Sequence, residues 1–186
     1  MIRRLATAAA LGLCGLLSGC PESVHPLSDP ATATPDPALF GVWHGSFDGD
    51  EMYLHAGPGD HGMTRAIQVE HKKKGDVATA RFAAFPARLG KMSLLNVRNS
   101  DEGADFRGYM LFRYEVKGPR LTLWMLSLKA VREDIKAGKL AGKAEGGAYG
   151  DTLITASSEA LAAYLQEGDP KRLFDQPLAF RRVAAK

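Results

Sequence analysis

Cysteine is nearly absent from this 186-residue chain, with only Cys14 and Cys20 present. Both fall within the first twenty residues, so the body of the chain has no thiol for a disulfide, a nucleophile or a metal thiolate. Its fold must be held by an apolar core alone. An excess of one charge is lacking too: 24 Lys and Arg face 21 Asp and Glu, a formal net charge of +3 that falls to +1 once Arg3 and Arg4 are set aside. "HKKKG" and "FRRVAAK" are local basic patches without a base-reading module, so nucleic acid is not an expected partner. Long apolar runs are missing as well. The longest, residues 5–17, has about 13 residues where roughly 20 are needed to cross a bilayer.

The usual catalytic signatures are equally scarce. His44, Asp48, Asp50, Glu51 and His55 gather near one hairpin, but no H-E-x-x-H spacing forces them to converge on a metal. Asp60 and His61 are adjacent, as are Glu70 and His71, and neighbours in a strand point to opposite faces. Ser46 lacks the G-x-S-x-G elbow, and "AGPGDHG" reads as a glycine turn, not a phosphate cradle. No catalytic residue, metal site or cofactor is expected, and catalysis is the less favoured class.

What is present begins with an address. Arg3 and Arg4 precede the apolar run, and Leu17, Ser18, Gly19 and Cys20 close it. This resembles a bacterial lipoprotein precursor with its lipobox. The resemblance implies that residues 1–19 are a signal peptide and that Cys20 is the lipidated, palmitate-type acyl site after cleavage. It also implies a lipid-anchored envelope protein, with Pro21 in place of Asp pointing to the outer membrane, facing the periplasm. Several acyl chains are needed for stable attachment, since one binds only marginally.

Residues 20–37, "CPESVHPLSDPATATPDP", have only scattered apolar side chains and are expected to be a flexible tether. Residues 38–184 have the length of one domain. "RGYMLFRYEV" alternates, with Gly108, Met110, Phe112, Tyr114 and Val116 on a buried face and the other face mostly wet. Gly118 then makes a hairpin into "PRLTLWMLS". With "GVWHGSF", "EMYLHA", "MTRAIQVEH", "VATARFAAF", "KMSLLNV", "DTLITA" and "LAFRRV", about nine short strands predict a mainly β, antiparallel barrel or sandwich. Two helical insertions interrupt it: "LKAVREDIKAG", with Leu128, Val131 and Ile135 in line, and "SSEALAAYL", capped by Ser157 with Leu161 and Leu165 as its stripe.

"LFGVWHG", with Gly41, Val42 and Trp43, resembles the opening of a lipocalin or wider calycin barrel, and "PLAFRRV" resembles its last strand. Residues 39–183 also resemble uncharacterised envelope lipoproteins. The resemblance implies that Trp43 closes one end of a lipocalin-like barrel and meets Arg181 or Arg182, at most one of which can face it. Phe82, Met110, Phe112, Leu123 and Met125 would line the interior, with Met52, Leu54, Ile67, Val69 and Leu121 beside them and Tyr114 as a polar end. The expected function is non-catalytic binding of a lipid or other small apolar molecule. The alternative is an adaptor that binds another envelope protein through Lys72, Lys73, Lys74, Arg113 and Tyr109.

Overall fold

The computed structural model describes residues 20–102, 108–144 and 152–184; the expected signal peptide lies outside them. Eleven strands appear among the described residues: β1 (Glu22–Ser23), β2 (Gly41–Phe47), β3 (Asp50–Pro58), β4 (Thr64–His71), β5 (Val77–Leu89), β6 (Met92–Asn99), β7 (Tyr109–Lys117), β8 (Arg120–Met125), β9 (Gly142–Ala144), β10 (Thr152–Ile154) and β11 (Gln176–Arg182). The helices are α1 (Leu128–Lys136), α2 (Ser158–Glu167) and α3 (Pro170–Leu173). The protein is mainly β, and eight of the strands form a closed antiparallel barrel.

The barrel order is β2-β3-β4-β5-β6-β7-β8-β11, each strand beside the next, with β11 returning to β2. Closure rests on Leu95 opposite Phe112 between β6 and β7, and on Arg182 opposite Trp43 between β11 and β2. Closing the sheet leaves no exposed edge along these strands. β5 runs through Pro86, beyond the last residue that β4 pairs, Ala84. A proline is tolerated there because no β4 ladder bond is lost.

The expected alternation of β7 holds: Met110, Phe112 and Tyr114 are buried on the inner face. Its outer face is only partly wet: Tyr109, Arg113 and Glu115 stay half-exposed, but Leu111 does not. Leu111 is 2% exposed because α1, α2 and α3 lie over the outside of β5 to β8. Both expected helices form, each with a serine cap: Ser127 accepts from the Ala130 N–H and Ser157 from the Ala160 N–H. α3 is a further turn, led by Pro170 and capped by Asp169.

Residues 20–37 are not the free tether expected. β1 pairs antiparallel with β7, Glu22 opposite Met110, and parallel with β10, Glu22 opposite Leu153. Pro21 and Leu27 are buried, the Leu27 N–H donates to Asn96 Oδ1 at 2.8 Å, and Ser158 Oγ donates to the Pro26 carbonyl at 2.6 Å. Polar composition misled because main-chain pairing and a few buried side chains, Pro21 and Leu27 among them, are enough to tie this segment down. Asp36 then caps the 3₁₀ turn Pro37–Leu39, which delivers Leu39 and the chain into β2.

Candidate binding cavity

Inward positions of the barrel set the site. On β3 these are Met52, Leu54 and Ala56; on β4, Thr64, Ala66 and Gln68; on β5, Phe82 and Ala84. Leu95, Val97, Met110, Phe112, Leu121, Leu123, Met125, Leu178 and Phe180 complete the wall, with Leu39 across one end. Three alanines stand where larger side chains could have filled the barrel, and a space of about 100 Å³ remains between the walls. That is roughly three times the ~30 Å³ share of one water in the liquid. Water needs two to four polar partners, and among the described residues Thr64 and Gln68 are the only polar side chains in the wall. The cavity therefore suits an apolar guest. Met52, Met110 and Met125, half of the chain's six methionines, give it walls that can reshape.

Phe82, Met110, Phe112, Leu123 and Met125 are in this wall, as are Met52, Leu54 and Leu121. Tyr114 is not. Its hydroxyl donates to Asp36 Oδ2 at 2.8 Å, and the side chain lines a separate, more polar groove with residues 32–37 and Arg88. Burial and the neighbouring Asp36 carboxylate both push the Tyr114 hydroxyl well above the usual tyrosine range. Ile67 and Val69 are also misplaced by the sequence reading, since β4 turns Thr64, Ala66 and Gln68 inward and leaves them outside. The signal that could have revealed this is register: Ala66 lies opposite Ala56 and Phe82, residues of the inner set.

One end of the barrel is packed shut. Trp43 is fully buried, its indole N–H donates to the Leu39 carbonyl at 2.8 Å, and the Arg182 guanidinium lies 4.0 Å from the ring centre. Arg182 also donates to the Phe40 carbonyl and, at 2.7 Å, to the Ala38 carbonyl, clamping the Leu39 turn. Arg181 faces solvent, opposite His44. Gly41, at φ +132°, leaves room for the arginine: a Cβ there would stand 2.6 Å from its Nη1.

At the other end, where β8 leaves for α1, Cys20 packs against the inner cluster with its sulfur 3.6 Å from Met125 Sδ. Burial, with Glu22 nearby, pushes the unmodified thiol up to about 11.

The remaining candidates are held by ordinary contacts. His44 bonds Glu51 and stacks on Tyr53 at 4.6 Å, while Asp50 accepts from the Lys73 N–H at 3.0 Å and the Asp48 carbonyl from Lys73 Nζ at 2.6 Å. His55 is exposed, as are Asp60 and His61, and Ser46 points to solvent. Glu70 faces in and His71 out, against Tyr53. Among the described residues no group of three or more His, Cys, Asp or Glu could hold a metal ion. Of the expected docking residues, Lys74 is exposed, Arg113 lies over Trp124 at 4.7 Å and Tyr109 meets the edge of Phe85 at 5.9 Å.

A polar cluster that the sequence did not announce pins the helices. Asp134 on α1 accepts from Arg172 of α3 at 2.6 and 3.0 Å and from the Tyr164 hydroxyl of α2 at 2.7 Å. Arg172 foremost holds the Asp134 carboxyl below the usual range, and burial pushes the Tyr164 hydroxyl up. Arg172 also reaches the Ala130 carbonyl at 3.4 Å and Glu133 at 3.6 Å, so the cluster is a structural tie between the helices. Comparison with family models, curated proteins and solved structures gives no match.

Proposed function

We propose that this chain is an envelope lipoprotein whose barrel binds a lipid or other small apolar molecule without catalysing a reaction. The observation that carries the reading is the apolar cavity of about 100 Å³, walled by three methionines and floored by Leu39. A well-packed core leaves few voids larger than a water. The barrel interior instead keeps small side chains beside adaptable ones.

Acylation at Cys20 is the second part of the proposal and rests on Leu17, Ser18, Gly19 and Cys20. With residues 20–37 packed along the barrel, an anchor at Cys20 would hold the domain close to the bilayer, not at the end of a spacer. Outer-membrane attachment, facing the periplasm, follows from Pro21 by the lipoprotein resemblance. Intact-mass analysis should find a processed, acylated terminus at Cys20; an unmodified terminus elsewhere rejects this part.

Native mass spectrometry of gently extracted protein tests the binding reading. It should find an apolar molecule retained and displaceable by lipids. If nothing is retained and a lipid panel fails to bind, the carrier reading falls and an adaptor role for the outer surface takes its place.

A further inference from the structure

The interior of the barrel carries one feature that apolar packing does not explain. Thr64 is 3% exposed, its side chain stands in the cavity wall, and its Oγ1 has no hydrogen-bond partner among the described residues. Ser28 and Thr152 also have unpaired buried hydroxyls, but neither touches this cavity. A buried hydroxyl without a partner costs free energy that an isosteric valine would not. Thr64 opens β4 directly after the β3–β4 turn, at the same end of the barrel as Gly41 and the Leu39 turn. Met125 lies at the far end, beside Cys20.

Building on the binding reading above, we propose that the cavity takes a slender, neutral apolar molecule bearing one hydrogen-bonding oxygen, an alcohol or an ester or ketone carbonyl, and that Thr64 is the residue that engages that oxygen. The hydroxyl can donate to a carbonyl or accept from an alcohol. A charged head group is disfavoured at this point because, among the described residues, the cavity wall holds no Lys, Arg or His to pair with it. The apolar remainder of the molecule runs from Thr64 toward Met110 and Met125, whose thioethers adjust to its length.

The test uses the purified full chain carrying ¹³C-methyl methionine, titrated with 1-octanol and, separately, with n-octane. Both should move the Met52, Met110 and Met125 methyl signals, and 1-octanol should bind more tightly. Thr64→Val should weaken 1-octanol about tenfold, the equivalent of ~1.4 kcal/mol, and leave n-octane unchanged. Thr64→Ser, which keeps the hydroxyl, should retain the preference for the alcohol and serves if the valine variant folds poorly. Equal weakening of both probes, or no loss of 1-octanol affinity, overturns the role of Thr64 while binding itself stands. Failure of both probes to move any cavity methionine in the parent protein overturns the binding reading as well.

Discussion

The two apolar clusters of this protein are packed to different standards. Outside the barrel wall, Val131, Ile154, Leu161, Leu165 and Leu173 all show 0% exposure and enclose Leu94 and Leu111. Inside the wall, alanines and methionines surround about 100 Å³ of space. The outer cluster is also fixed by a fully engaged carboxylate, Asp134, whereas the inner one has an unpaired hydroxyl, Thr64. Stability is thus concentrated at the helical layer and at the Trp43 end, and the barrel interior between them is left adaptable.

The comparison breaks first at Trp43, which belongs to the inner cluster yet is fully packed. Trp43→Ala should cost about 3 to 5 kcal/mol in denaturant unfolding. Arg182→Ala should cost less, with a coupling to Trp43 of about 0.5 to 2 kcal/mol in a double-mutant cycle; Arg181→Ala should show none.

Truncations then contrast the clusters directly. Leu161→Ala should lose about 3 kcal/mol, near the middle of the range for a filled site, and Leu123→Ala no more than about 2 kcal/mol because its neighbours already border a void. Equal losses would mean that the two clusters are packed alike.

How far the sequence discloses this difference depends on what sets it. Alternation along β7 identifies Met110, Phe112 and Tyr114 as an inward set, and Ser157 marks the start of α2, because those signals are local. The burial of Leu111 on the opposite face needs a second layer from residues far along the chain, which strand periodicity does not contain. β4 misleads for a related reason: Ile67 and Val69 are its most apolar residues, but the register to Ala56 and Phe82 turns Thr64 and Ala66 inward. The cavity exists because small residues take those positions, so a search for large apolar side chains passes over it. Main-chain pairing similarly ties β1 to β7 within a segment whose side chains read as a tether.

The Asp134 tie should respond to pH with a definite sign. Its folded pKa lies below the ordinary carboxylate value, so its contribution is present above about pH 4 and is lost as pH falls further. Arg172→Met should cost about 2 to 3 kcal/mol at neutral pH by leaving Asp134 buried with only the Tyr164 hydroxyl and a distant Lys139. That cost should shrink below pH 4, where the carboxyl becomes neutral. Tyr114 and Tyr164 act at the other limit: with both hydroxyls raised, stability holds below about pH 10 and falls as pH rises into their folded range. Chemical unfolding across pH checks both limbs, and a flat acid limb in the parent protein would contradict the role given to Asp134.

The most direct measurement concerns the space itself. Xenon enters dry apolar cavities of this kind, and methionine methyl signals report where it goes. Under xenon pressure the Met52, Met110 and Met125 methyls should shift together, while Met63 and Met92, which are not in the cavity wall, should stay in place. Shifts confined to Met63 and Met92, or no shift at all, would show that the barrel interior is filled and would contradict a binding cavity.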